Sequence, residues 1–186
     1  TSRRDQDHVL DEHTFYKGLS DQAEWQHNFQ IGKIDTISAG YNYYREEGAS
    51  TAPWGNSYIK SASIHSLYLH NHLKLFDAIY HTAGIRYDNH SEFGDKYTWN
   101  TTASVIAPVI STRIKGAYGT SFKAPSLYQL YDVSIGNDEL KPEKGRHYEA
   151  GLEQPLLNGS VVISAIWFFN KYDDMINWEW TGPGAW

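Results

Sequence analysis

Apolar and polar residues alternate with a period of two along most of this chain, and that period constrains the fold more than any other feature of the sequence. In residues 96–107, one face of an extended chain would carry Tyr97, Trp99, Thr101, Ala103, Val105 and Ala107. Alternation of this kind is typical of β-strands whose two faces meet different surroundings. We predict strands at 13–18, 22–31, 35–46, 58–73, 77–88, 96–107, 111–120, 145–156, 160–172 and 175–181, and helix signals are weak throughout.

The connections between the predicted strands alternate in length. Those at 32–34, 74–76, 107–110 and 157–159 are tight, whereas those at 47–57, 88–95 and 121–144 are long. Short turns at one rim and long loops at the other are typical of outer-membrane β-barrels, in which the long loops carry recognition outside the cell. A soluble β-sandwich would also give a period of two, so the alternation alone leaves both folds open.

Aromatic residues decide between these two folds. The chain of 186 residues contains 14 Tyr, 7 Trp and 7 Phe. The apolar faces of the predicted strands include Trp25, Tyr41, Tyr43, Tyr87, Tyr97, Trp99, Tyr118, Tyr148 and Trp167. Such rings, bordering a band of Ala, Val and Ile, favour the headgroup boundary of a membrane. The absence of an apolar run long enough for a transmembrane helix is compatible with a barrel. We therefore predict an all-β fold, the wall of an antiparallel transmembrane β-barrel with nine or ten strands.

Charge and motif content exclude several functions. The formal net charge is -6 and the 16 Lys and Arg residues are scattered, so we expect no nucleic-acid partner. The chain has no cysteine and lacks G-x-S-x-G, H-E-x-x-H and P-loop motifs. Ser121 with His147 is the only pairing that could be considered across the long loop, and we predict no catalytic residues and no enzyme. His70 and His72 share one strand face without a predictable third ligand, so neither a metal site nor a cofactor is predicted.

The most specific motif begins at Lys115 and reads KGAYGTSFKAPSLYQLYDVSIGNDELKPEKGRHYEAGLEQ. It resembles a signature of TonB-dependent outer-membrane receptors, in which a strand ends in Y-G-x-[SA]-[FY]-[KR]-A-P and a later N-x-x-L-x-P-E corner leads into the next strand. The matching residues are Gly116, Tyr118, Gly119, Phe122, Lys123, Ala124, Pro125, Leu127, Leu130, Tyr131, Asn137, Leu140, Pro142, Glu143, Glu149, Gly151 and Glu153. The preceding hairpin, residues 84–100, and the later segment FFNKYDDMINW are similar to the same family.

The resemblance implies a receptor that binds and imports a scarce ligand, and it is strongest to the cobalamin receptors and the smaller siderophore receptors. A family member has a plug domain and a barrel of about 22 strands. Residues 1–186 are therefore expected to be part of a larger barrel, without the plug domain. The implied partners are the lipid of a Gram-negative outer membrane, the plug domain and TonB in the full-length parent, and a small-molecule ligand. The alternative is a small self-contained barrel that acts as a passive pore or an adhesin.

Two groups of site residues are expected. Aromatic residues of long outer loops suit bulky planar or amphipathic ligands, and the candidates are Tyr44, Trp54, Tyr128 and Tyr131. Charged residues on the polar face would hold the plug by polar pairs, and these are Arg86, Arg113, Lys115, Glu149 and Glu153. Residues 126–136 contain no histidine, which by the same resemblance argues against haem. The acidic N-terminal run could ligate calcium through Asp5, Asp7, Asp11 and Glu12, but we interpret it as a solvated loop.

Overall fold

The computed structural model describes residues 2–9, 15–51, 57–132 and 135–177, and these residues form one antiparallel sheet of nine strands in chain order. The strands are β1 (Ser2–Val9), β2 (Phe15–Ile31), β3 (Asp35–Thr51), β4 (Ser57–Leu75), β5 (Ile79–His90), β6 (Gly94–Ile106), β7 (Arg113–Lys123), β8 (Glu143–Leu156) and β9 (Val161–Asp173). The predicted antiparallel barrel wall is confirmed. Among the described residues, no helix has the length and apolar character needed to cross a membrane.

Short turns lie at one rim of the sheet. Residues 32–34 join β2 to β3, 76–78 join β4 to β5, 107–112 join β6 to β7, and 157–160 join β8 to β9. The first and last of these turns contain glycines with positive φ, Gly32 at 59° and Gly159 at 88°. Glycine adopts this backbone conformation without steric cost, which allows the chain to reverse. The predicted tight connections are confirmed, with small shifts in their bounds.

The opposite rim, which we call the loop rim, is only partly formed by long loops. β7 and β8 are joined by residues 124–142, close to the predicted bounds. β5 and β6, however, are joined by the turn 91–93, so the long loop predicted at 88–95 is wrong. Gly94, which follows this turn, has a φ of 65°, a conformation that glycine adopts without steric cost. The Asp95 carboxylate accepts hydrogen bonds from Tyr87 (2.8 Å) and Asn89 (2.7 Å), and these bonds hold the hairpin closed.

The strand bounds near the two ends of the chain differ from the prediction. β2 is a single strand where the sequence predicts two, because it pairs with β3 without a break from Phe15 to Ile31. Residues 2–9, interpreted as part of a solvated loop, pair with β2 as β1. Residues 175–177 are not in a strand, and the rest of the strand predicted at 175–181 lies outside the described residues. The prediction misplaces β1 and β2 because backbone pairing continues where alternation fades.

One face of the sheet, which we call the apolar face, carries a girdle of aromatic rings. Contacts join the rings of successive strands from β5 to β9, with centroid distances of 5.0 Å for Tyr87 and Tyr97, 4.5 Å for Trp99 and Tyr118, 4.7 Å for Tyr118 and Tyr148, and 6.1 Å for Tyr148 and Phe169. Between this girdle and the short turns, the same face of β4 to β9 carries exposed aliphatic residues: Leu69, Ile79, Ile85, Val105, Ile114, Leu152 and Ile163. An aliphatic band bordered by rings is the surface that a barrel presents to lipid.

On the other face, which we call the polar face, two rings pack over glycines of neighbouring strands. Gly40 is the direct partner of Tyr68, and Gly84 is the direct partner of His70. A Cβ at Gly40 would overlap the Tyr68 ring, and a Cβ at Gly84 would lie 2.6 Å from Cε1 of His70. Each ring therefore occupies the space that a side chain on the neighbouring strand would need. His70 therefore packs on the neighbouring strand of the polar face.

Candidate ligand-binding site

A short segment of the β7–β8 connection crosses the polar face of the sheet. Residues 124–132, which we call the strap, contain the helix α1 (Leu127–Tyr131). β7 is separated from β4 by β5 and β6, yet α1 packs against β3 and β4. Leu127 and Leu130 are only 4% and 5% exposed. The strap therefore covers part of the polar face near the loop rim, and its two leucines form a small core there.

Ser126 and Gln129 determine where the strap becomes helical. The Ser126 hydroxyl accepts a hydrogen bond from the Gln129 backbone N–H (3.2 Å), and the Gln129 side-chain oxygen accepts one from the Ser126 backbone N–H (2.9 Å). This capping box satisfies two donors that a helix N-terminus otherwise leaves unpaired. Pro125 precedes it and cannot donate to the β-ladder. The S-x-x-Q spacing is visible in the sequence and predicts the start of this helix. The expectation of weak helix signals throughout the chain is therefore wrong for this segment.

Two of the predicted ligand-binding tyrosines are on the strap and contact the sheet. The Tyr128 ring lies edge-on to Tyr16 of β2, with centroids 6.0 Å apart. The Tyr131 ring lies 6.3 Å from that of Tyr58, and Nζ of Lys60 lies 4.7 Å from the centroid of the Tyr131 ring. Both tyrosines therefore hold the strap against β2 and β4, which is a packing role. Ligand contact by either residue stays a prediction.

A cavity of about 350 Å³ lies between the strap and the polar face. Its lining comes from β3, β4, β5, the end of β7 and the start of the strap: Tyr44, Glu46, Ala62, Ile64, Arg86, Asp88, His90, Phe122, Lys123, Ala124, Pro125 and Ser126. A second cavity of about 130 Å³ shares Tyr44, Glu46 and Ser126 with the first and continues towards β1 and β2. Aromatic, apolar and charged groups thus converge at one place, as they do in binding sites for small molecules.

Arg86 is the best-fixed charged group in the lining of the larger cavity. Its Nε donates to the Asp88 carboxylate at 2.8 Å, and one terminal nitrogen donates to the Ser66 hydroxyl at 2.7 Å. Ser66 is fully buried and Asp88 is 7% exposed. The guanidinium has five N–H donors, so this arrangement fixes its orientation while leaving further donors for a bound molecule. Asp88 balances the charge of Arg86, which makes the pair a polar anchor of low net charge.

Burial changes the protonation behaviour of two other lining residues. Burial raises the pKa of the Glu46 carboxyl above its ordinary value of 4.5. Burial also lowers the pKa of His90, although the nearby Glu92 and Asp88 partly oppose this effect. The backbone N–H of Glu92 donates to Nδ1 of His90 at 3.1 Å, which places the proton of the neutral ring on Nε2. The cavity therefore offers a carboxyl group that binds protons readily and a histidine that favours its neutral form.

We expect Glu46→Gln to stabilise the protein at pH 7. Because the Glu46 pKa is raised in the folded protein, the folded protein binds this proton more tightly than the unfolded chain does. As pH rises from 4.5 through the raised pKa, the Glu46 carboxyl therefore lowers the free energy of unfolding. Urea unfolding at several pH values would measure the effect, and the advantage of the variant should disappear below pH 4.5. Glu47→Gln is the control, since Glu47 is the next residue and is ion-paired with Arg45 at 3.2 Å. An advantage that is the same at acidic and neutral pH would contradict the expectation.

The five residues predicted to face the plug all lie on the polar face, but in two separate places. Arg86 lines the larger cavity. The others are on β7 and β8: Lys115 is ion-paired with Glu153 at 3.2 Å, Arg113 lies 5.8 Å from the Tyr80 ring centroid, and a Glu149 oxygen is 3.5 Å from Nε2 of His147. Contact of any of them with a plug stays a prediction.

Of the four predicted ligand-binding residues, Tyr44 lines both cavities. Tyr128 and Tyr131 belong to the strap, which covers the cavities. Trp54 lies outside the described residues. Glu46, Asp88 and His90 also line the larger cavity, although no motif in the sequence marks them as site residues. Among the residues with described positions, no group of three or more His, Asp and Glu side chains is arranged to hold a metal ion.

The sheet, its girdle and its polar face define the class of protein, a wall segment of a transmembrane β-barrel. A family model described as the TonB-dependent receptor-like β-barrel matches residues 1–185. The chain belongs to this family of TonB-dependent receptor barrels. The resemblance carried by residues 115–154 is thereby confirmed.

Individual relatives place the chain within this family. The vitamin B12 transporter BtuB of Vibrio vulnificus (strain YJ016) is 33% identical over 166 residues, which are 88% of this chain and 26% of that protein. The siderophore receptor PirA of Pseudomonas aeruginosa superposes with a TM-score of 0.73 at 22% identity, covering 86% of this chain and 33% of that one. The copper transporter OprC gives a TM-score of 0.71 at 11% identity, with coverages of 87% and 31%. The two solved structures show the shared fold, and the chain spans about a quarter of the length of the curated relative.

Proposed function

We propose that this chain is part of a receptor in the outer membrane of a Gram-negative bacterium that binds and imports a scarce small molecule such as cobalamin or a ferric siderophore. Membership of the TonB-dependent receptor barrel family supports the class of function. The names of two relatives, a vitamin B12 transporter and a siderophore receptor, support the two ligand classes. The proposed role is binding and transport, without a catalytic step.

We further propose that residues 1–186 are part of a barrel domain whose plug domain belongs to another part of the full-length protein. The chain covers 26% of the length of the vitamin B12 transporter relative, which supports this division. In the full-length receptor, energy relayed by TonB would rearrange the plug. Arg113, Lys115, Glu149 and Glu153 lie together on β7 and β8, where buried polar pairs could hold it.

The cavity beneath the strap is the observation that carries the proposed binding site. Its volume of about 350 Å³ holds a part of a large ligand and not a whole siderophore or cobalamin. Tyr44 and Phe122 provide aromatic surface, and the Arg86–Asp88 pair provides fixed donors and acceptors. A ligand with both planar and hydrogen-bonding groups would use both kinds of contact.

Uptake in cells tests the proposed function. A receptor-null strain that expresses the full-length protein should accumulate radiolabelled cyanocobalamin or a ferric siderophore, and dissipation of the inner-membrane proton gradient should stop the accumulation. Uptake that survives this treatment, together with a stable single-channel conductance in planar bilayers, would instead support the alternative of a passive pore. The same assay with the vector alone gives the background.

We expect Tyr44→Ala to weaken ligand binding by the full-length receptor by about 1 kcal/mol or more, because the ring lines both cavities. Tyr43→Ala is the matched control, since Tyr43 is the next residue on β3 and points to the apolar face, 4.9 Å from the ring of His65. Binding of the labelled ligand to purified protein gives the affinities. The proposed site would be refuted if both variants bound ligand as tightly as the unchanged protein.

A further inference from the structure

Three basic side chains and one carboxylate form a patch on the apolar face, between the girdle and the loop rim. The patch, which we call the basic patch, consists of Lys144 and Arg146 of β8 and of Lys171 and Asp173 of β9. Arg146 is two residues from Tyr148, and Lys171 is two residues from Phe169, so all four side chains are on the girdle side of the sheet. Nothing in the proposed binding and import of a ligand accounts for these residues.

The strand register brings like charges together in this patch. Arg146 and Lys171 are direct cross-strand partners, and such pairs of equal sign are destabilising. Asp173 is shared between them, with its oxygens 3.2 Å from Arg146 and 3.7 Å from Lys171. Three cations against one carboxylate leave two net positive charges, in a chain whose overall formal charge is -6. An external anion would relieve this local repulsion.

The position of the patch identifies the anion. Arg146 lies about 7 Å beyond Tyr148 along the strand, since two residues of a strand span that length. The Tyr148 and Phe169 rings contact each other at 6.1 Å and belong to the girdle, which marks the headgroup boundary. Arg146 and Lys171 are therefore at the level of lipid headgroups. Their side chains are 50% and 54% exposed, so both remain accessible to a headgroup despite their contacts with Asp173.

We propose that the basic patch binds a phosphate group of a phosphorylated lipid in the outer leaflet of the membrane. The Arg146 guanidinium can donate two parallel hydrogen bonds to phosphate oxygens, and Lys171 and Lys144 add point charges. This proposal rests on the proposed outer-membrane location. In an outer-membrane barrel the rim with long loops faces the outside of the cell, so a patch on the loop-rim side of the girdle meets the outer leaflet. On the same face near β2 and β3, Arg45 is instead ion-paired with Glu47 at 3.2 Å.

Binding of lipid A, a glycolipid with two phosphates, to the purified full-length protein in detergent tests the proposal. We expect the double variant R146Q/K171Q to bind lipid A at least tenfold more weakly in native mass spectrometry titrations. The control K17Q/R45Q removes two cations from β2 and β3 on the same face and should bind unchanged. The charge-conserving variant R146K/K171R should retain most of the affinity, and D173N should increase it. Strand content by circular dichroism confirms that each variant is folded.

Several results would overturn the proposal: unchanged affinity of R146Q/K171Q, an equal loss in the control, or equal competition by inorganic phosphate at the same concentration. Because lipid binding is measured on purified protein, it is separable from the import function. Weakened lipid binding in the double variant, with no ligand uptake by the wild type, would support the patch and refute the import function. Normal uptake with unchanged lipid binding in the double variant would refute the patch alone.

Discussion

Replacing Ala150 with arginine is expected to destabilise the protein by about 2 kcal/mol or more, because charged residues on the lipid face of a barrel carry a cost of this order. Ala150 is exposed on the apolar face, where its direct partners are Gly116 of β7 and Trp167 of β9. An arginine at this position would extend into the aliphatic band or would have to bend towards the headgroups. Urea unfolding of the protein reconstituted in lipid vesicles would measure the loss.

Ala117→Arg is the matched control for this variant. Ala117 is on the polar face, directly opposite Glu149, and it lies one residue along the register from the Gly116–Ala150 pair. The same substitution there gains an acidic neighbour and does not place a charge in lipid. The expected cost is therefore well below that of Ala150→Arg. Equal costs for the two variants in vesicles would contradict the assignment of the two faces.

The two faces of the sheet could be predicted because the side-chain period of a strand is a local property. Trp99 and Tyr118, for example, are predicted on the same apolar face, and their rings meet at 4.5 Å across β6 and β7. Strand ends are less accessible to prediction. Near Asp21 the alternation fades, but backbone pairing of β2 with β3 continues through that residue, so two predicted strands are one.

The candidate site could be predicted only in part. Tyr44 is predicted as an aromatic residue of a long outer loop; it lies in β3 instead, and it does line the cavities. Glu46 and His90 were not selected, because their burial depends on a strap that reaches across from β7, and pattern analysis of single strands contains no information on such a crossing. Trp54 lies outside the described residues, so its role stays a prediction.

Gly40→Ala is the second substitution with a large expected effect, about 2 kcal/mol or more of lost stability from overpacking and disrupted hydrogen bonds. A Cβ at Gly40 would overlap the Tyr68 ring and its hydroxyl and would lie 2.8 Å from the backbone carbonyl oxygen of Trp25. The Tyr68 hydroxyl lies 2.8 Å from a carboxylate oxygen of Glu24 and 2.9 Å from the side-chain oxygen of Gln26, which share its one proton, and displacement of the ring would break these contacts. Urea unfolding in detergent would measure the effect.

Two comparisons identify the cause of such a loss. Gly116→Ala reduces the conformational entropy of the unfolded chain as Gly40→Ala does. Its Cβ, however, would meet only the carbonyl oxygen of Glu149, 3.6 Å away. We therefore expect little change or a small gain in stability for Gly116→Ala. In the double variant Gly40→Ala/Tyr68→Ala the ring that obstructs the Cβ is absent. If the ring is the main obstacle, the double variant should be destabilised by much less than the sum of the two single variants. Additive losses would show that the backbone of β2 at Trp25, and not the Tyr68 ring, excludes a side chain at position 40.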